Sequence, residues 1–153
     1  MQAAATAAKA CPVVLRRGRE GGLEILAFMH PLAGCQLVKG GIETGEAAAA
    51  AALRELREES GIADARIVTD MGVWASQHGD MPGGALWSFQ LCEVPRVLPE
   101  RWSWRTSDDG GHSFEFFWQP LDAATDASWH PLFQRALAWV RHWLRSHAET
   151  LHV

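Results

Sequence analysis

Apolar and polar positions change rhythm several times along the chain. Short apolar or alternating runs bounded by turn residues predict strands over residues 12–16 (PVVLR), 23–29 (LEILAFM) and 35–38. A Gly-containing turn at 18–22 and the loop HPLAG at 30–34 separate them. A Gly-rich turn at 39–45 then leads into a helix predicted over 46–60. Its six consecutive alanines, 47–52, raise helix propensity, and Gly61 is placed to cap its C-terminus. Two more strands are predicted at 66–75 and 86–94, joined by a loop at 77–84 rich in Gly, Pro and Asp. Residues 95–112 predict mostly irregular chain carrying Trp102 and Trp104, followed by a strand at 113–119 (SFEFFWQ). Phe133, Leu137, Val140 and Leu144 form one stripe of an amphipathic helix over 131–147. Strands dominate, with one helix in the middle and one at the end, so the pattern predicts a sheet with helices packed against it.

Glu55, Glu58 and Glu59 are spaced i, i+3, i+4, which places three carboxylates on one face of the first helix. Such neighbours repel by a few tenths of a kcal/mol per pair. A hard divalent cation turns that repulsion into a binding site, because Mg²⁺ takes oxygen ligands and keeps positions for water and phosphate. Leu53 and Leu56, with Ala49 and Ala52, form the apolar stripe expected to hold the helix on the sheet. For the triplet alone, an ordinary solvated acidic face is the competing explanation.

The surrounding residues shift that balance. Gly40, Glu46, Arg54, Glu55, Leu56, Glu58, Glu59, Gly61 and Ile62 follow the spacing Gly-x5-Glu-x7-Arg-Glu-U-x-Glu-Glu-x-Gly-U, with U a bulky aliphatic residue, and depart from it nowhere. Seven fixed residue types at ~5–7% background usage coincide by chance about once in 10⁸ to 10⁹ trials. The segment resembles the Nudix box. That resemblance implies an α/β/α sandwich around a mixed sheet, with the box as loop, helix and loop. It also implies a hydrolase that cleaves a diphosphate linkage in a nucleoside diphosphate derivative with Mg²⁺ or Mn²⁺. Carried over residue by residue, Glu55, Glu58, Glu59 and the Gly40 carbonyl are the metal-holding groups. Glu55 is the general base, and Arg54 pairs with Glu46.

Substrate choice lies outside the box. Lys39 is either a phosphate contact or a solvent-exposed turn lysine. Trp102 and Trp104 either stack on a base or tuck into the core edge. Asp108, Asp109 and Glu115 are candidates for a supplementary acidic ligand, and His78 and His112 are loop histidines. A substrate pocket is expected between the box helix and the loops 77–84 and 101–112. The downstream proline of ADP-ribose hydrolases has no counterpart near Gln77, the nearest being Pro82, and the chain has no Tyr to serve as the marker of dinucleoside polyphosphate hydrolases. The upstream coenzyme A marker is absent, whereas Lys39-Gly40 resembles the entry to the box in dinucleoside polyphosphate hydrolases. A nucleoside tri- or polyphosphate is therefore the expected substrate. An RNA 5′ pyrophosphohydrolase and a catalytically silent ligand-binding regulator are the alternatives.

The 153 residues fit one domain, 1–153, with the Ala-rich stretch 1–10 expected to be a loose N-terminus. The net charge of -4 argues against a nucleic-acid partner but not against a small phosphorylated ligand. Cys11, Cys35 and Cys92 are odd in number and form no C-x-x-C pair, which fits a reducing cytoplasm. The N-terminus has no convincing signal-peptide pattern, and no run approaches the ~18 apolar residues of a membrane span. Self-association into a homodimer stays open.

Overall fold

The computed structural model of the protein describes residues 7–76, 85–106 and 110–150. Among these residues eight strands form one mixed sheet. They are β1 (Lys9–Arg17), β2 (Leu23–His30), β3 (Gly34–Gln36), β4 (Gly40–Gly41), β5 (Arg66–Ala75), β6 (Leu86–Glu93), β7 (Trp102–Arg105) and β8 (Ser113–Pro120). The helices are α1 (Ala48–Ser60) and α2 (Pro131–Ser146), followed by a short 3₁₀ turn, Ala148–Thr150. The strand order is β5-β6-β1-β2-β8-β7, with β3 on β2 and β4 on β1. Only β1 and β6 run parallel among the named strand pairs, which makes the sheet mixed.

Both faces of the sheet are covered, and the pleat assigns each residue its face. Val13, Ile25, Ala27, Trp87, Phe89 and Leu91 pack with Phe133, Leu137, Val140 and Leu144 of α2. Their neighbours Val14, Leu26, Phe28, Phe114 and Phe116 pack with Leu56 of α1 and with Ile62. This is the expected α/β/α sandwich, and the stripe on α2 is buried as the spacing predicts.

β1 changes partner partway along. Lys9 to Val14 pair with β6, whereas only Leu15, Arg16 and Arg17 pair with β2. Where β1 and β2 part, β4 takes up the antiparallel pairing, with Lys9 opposite Gly41 and Ala10 opposite Gly40. The start of the box is thus tied into the sheet by backbone hydrogen bonds, including Ile42 N–H to the Ala8 carbonyl at 3.0 Å.

Three boundaries differ from the sequence expectation. The alanine-rich start is not slack up to residue 10, because Lys9 and Ala10 belong to β1 and Ala10 has no exposed surface. The helix starts at Ala48 rather than at 46. Gly45 adopts a left-handed φ of 79°, and the Glu46 N–H turns back to the Glu43 carbonyl. The segment 95–112 contains a strand, β7, paired with β8 from Trp102↔Phe116 to Arg105↔Ser113. Gly61 caps α1 as expected, with φ 82° and its N–H on the Arg57 carbonyl. Cys11, Cys35 and Cys92 are buried free thiols. Among the described residues no helix is long and apolar enough to cross a membrane.

Candidate active site

Arg54 is the centre of the box. Its Nε and Nη2 donate to the two carboxylate oxygens of Glu46, both at 2.8 Å. Nη1 reaches Glu55 Oε1 at 2.8 Å and Glu58 Oε2 at 3.3 Å, and Nη2 also donates to the Gly41 carbonyl at 2.8 Å. A planar guanidinium with five donors can satisfy these acceptors at once, which an ammonium on the same stem cannot do. Loop, strand β4 and helix α1 are thereby joined through one side chain. The Arg54 pairing holds the Glu46 carboxyl down to a pKa of about 2, helped by the Glu43 N–H on Glu46 Oε1. The same contacts raise the pKa of Arg54.

The box carboxylates occupy graded environments along α1. Glu55 is buried, and its carboxylate lies against the backbone of Gly40 so closely that a Cβ at Gly40 would overlap it. Glycine is therefore required there by close approach rather than by an unusual φ. Glu58 and Glu59 are half-buried, and Glu59 turns its Oε2 atom inward. The stripe that seats the helix is Ala51, Ala52, Leu56 and Ser60, rotated slightly from the expected Ala49, Ala52, Leu53 and Leu56. That rotation is what brings Glu55 against Gly40.

Trp102 and Trp104 hold the other end of α1. The Trp102 indole N–H donates to the Ser60 carbonyl and the Trp104 indole N–H to the Glu58 carbonyl, both at 3.0 Å. These are among the carbonyls that a helix C-terminus leaves without intrahelical donors. The Trp102 ring stacks on Phe116, with centroids 5.1 Å apart and planes 10° apart. The Trp104 ring covers Gly61 at a distance that leaves no room for a Cβ, and it stays 41% exposed. Both rings therefore have a supporting role at the helix end, and the polar edge of each is already engaged.

Lys39 lies half-buried beside the box entry, its ammonium 5.7 Å from the Trp87 ring centroid. Burial lowers its pKa, as does the nearby charge of Lys9, while Glu59 and Glu55 oppose the shift. It is not the solvent-exposed turn lysine of the simpler expectation.

Glu115 is not brought to the box. Its neighbours Phe114 and Phe116 face α1, so the pleat turns Glu115 to the opposite side, where it is exposed and accepts from Ser103 Oγ at 2.5 Å. The His112 ring lies 5.2 Å from that of His30. Asp108, Asp109, His78 and the loop 77–84 lie outside the described residues. Recesses of about 720, 410 and 480 Å³ open at the far end of β1, each lined by at least one of Arg16, Arg17 and Gly18, and these three include no box residue.

Among the described residues no three His, Cys, Asp or Glu side chains converge in a ligating cluster. In donor chemistry the box still fits a hard divalent cation. Its groups are all oxygen donors on adjacent turns, and Gly40 opens its backbone directly against the Glu55 carboxylate.

Comparison with known proteins identifies the family and the fold. The NUDIX domain family matches residues 7–140. The fold is similar to that of the Nudix hydrolase RenU from M. Smegmatis, with a TM-score of 0.64 at 17% identity, covering 92% of this chain and 88% of that one. It is also similar to a C. elegans Ap4A hydrolase, with a TM-score of 0.58 at 21% identity over 94% and 98% of the two chains. An ADP-ribose pyrophosphatase from Streptococcus suis gives a TM-score of 0.61 at 15% identity over 92% of each. Among proteins of curated function none matches the chain significantly.

Proposed function

The chain belongs to the Nudix family of hydrolases, which act on pyrophosphate bonds, and from that premise we propose that it is a divalent-metal-dependent pyrophosphohydrolase of nucleoside tri- or polyphosphates. The observation that carries this reading is the Arg54 network, which ties Glu46, Glu55, Glu58 and the Gly41 carbonyl into one rigid array beside Gly40. An array whose only role was solubility would not immobilise its carboxylates around a half-buried fork.

Glu55, Glu58, Glu59 and the Gly40 carbonyl are the groups that would hold Mg²⁺ or Mn²⁺. When bound, the ion neutralises charge on the phosphate oxygens and lowers the pKa of water. Glu55 takes the proton from the attacking water as general base. Arg54 orients Glu55 through the 2.8 Å contact and is itself fixed by Glu46. Its contact with Glu58 is the longest of the set at 3.3 Å.

The test is a screen of nucleotides with product identification, in Mg²⁺ or Mn²⁺ and after chelation. Hydrolysis should need the cation, and Glu59→Gln should lower kcat on the order of 10²-fold or more with the circular dichroism spectrum unchanged. Full activity in chelator-treated protein would overturn the metal role. An unfolded Glu59→Gln protein would make the acidic face structural instead.

A further inference from the structure

Ala10 and Gly40 face α1, since Ala10 packs with Ala51 and Ala52 and a Cβ at Gly40 would meet Glu55. The next pair along the same two strands, Lys9 and Gly41, faces the other way. Lys9 lies in register with Gly41 on one side and with Trp87 on the other. Its ammonium reaches across the bare backbone of Gly41, 4.0 Å from where a Cβ would stand. Lys39 arrives at the same place from the chain just before β4, its ammonium over the Trp87 ring.

The result is two cations on one side of the Gly40–Gly41 edge and the box carboxylates on the other. Their charges act on each other, as do those of Lys39, Glu59 and Glu55. Among the described residues no ion pair joins either ammonium to a carboxylate. Two like charges near each other, neither in an ion pair among the described residues, favour an anion that can meet both. A diphosphate diester offers few charged oxygens to two ammoniums, whereas a longer polyphosphate chain carries more charge along its length.

We propose that Lys9 acts with Lys39 to hold the phosphates beyond the scissile linkage, so that Lys9 sets a preference for nucleotides with three or more phosphates over diphosphate diesters. This rests on the pyrophosphohydrolase reading above and adds to it a residue outside the box. The lysines act as point charges on phosphate oxygens, and no covalent step involves them.

The experiment compares the full-length protein with Lys9→Met, which keeps the length and loses the charge, and with Lys9→Arg, which keeps the charge. Steady-state constants are measured in Mg²⁺ on ADP-ribose, ATP and diadenosine tetraphosphate. Binding of inorganic tripolyphosphate is measured by calorimetry, and melting curves check folding. In Lys9→Met the kcat/KM ratio of tetraphosphate to ADP-ribose should fall about tenfold, mainly through KM, and tripolyphosphate affinity should fall about as much. Lys9→Arg should recover most of both. An unchanged ratio together with tripolyphosphate affinity within twofold of the parent would overturn the proposal, as would an equal loss on all three substrates. If the parent cleaves none of them, the hydrolase reading fails separately, and the tripolyphosphate arm still decides the role of Lys9.

Discussion

The two ends of helix α1 are fastened by opposite chemistry. At the box turn, one guanidinium gathers carboxylates and a carbonyl. At the far end, two indole N–H groups from β7 cover backbone carbonyls, and an aromatic ring seals Gly61. The first anchor is charged, and the second is neutral and aromatic. The glutamates lie between them, so each anchor controls a different part of their geometry. Arg54 fixes where the carboxylates point, while Trp104 fixes the peptide unit between Glu58 and Glu59 and Trp102 the one between Ser60 and Gly61.

Substitutions that remove one anchor at a time test this division. The largest effect is expected at Arg54. Arg54→Lys keeps the charge but cannot fork, so kcat should fall on the order of 10²-fold as Glu55 loses its orientation. A variant within threefold of the parent would show that the fork is not needed for turnover. Next comes the helix end. Trp102→Phe or Trp104→Phe keeps a ring but leaves a carbonyl without its donor, and should destabilise the fold by about 1 kcal/mol. Turnover should drop several-fold while KM stays put. A raised KM at constant kcat would instead mean that the ring stacks on the base, and the clamp would lose its functional meaning.

Salt should separate the anchors further. Moving from 0.05 to about 0.5 M NaCl weakens charge pairs, half-buried ones less than exposed ones, so the stability lost by Arg54→Lys should shrink modestly while that lost by Trp102→Phe persists. Equal salt responses would erase the contrast. The smallest effect is on acid stability. The Glu46 carboxyl sits at about 2 in the folded chain, well below the usual carboxylate range, so its contribution is complete above that range. It fades as pH falls toward 2, because the unfolded chain binds the proton first. Glu46→Gln should therefore flatten the acid limb of the stability curve, read from melting temperatures between pH 5 and 2. An unchanged limb would mean that other carboxylates dominate it.

The contrast between the anchors also explains what the sequence reveals. The charged anchor is local. Glu46, Arg54, Glu55 and Glu58 lie within 13 consecutive residues, so a fixed spacing records it. The aromatic anchor joins residues 42 and 46 positions apart, and no spacing within either segment signals the other. The strand that carries it is only four residues long at the sheet edge, although the alternation Trp-Ser-Trp was a usable hint. The two faces of the sheet were only partly legible: burial alternates at the start of SFEFFWQ, whereas Ile25 to Phe28 of LEILAFM are buried without a break. Glu115 could not be separated from the site by sequence, because its direction depends on the β8 pleat relative to α1. Lys9 was hidden for a similar reason, since only the pairing of β1 with β4 brings it to Gly41.

The parting of β1 from β2 has a further consequence for engineering the chain. The box turn fills a place in the sheet that β2 leaves, and the residues it leans on are Ala8, Lys9 and Ala10. Deleting or distorting Ala8 to Ala10 would therefore disturb the backbone on which the wall of the candidate site rests. Amide exchange at Ile42, whose N–H rests on the Ala8 carbonyl, would reveal such damage before any assay does.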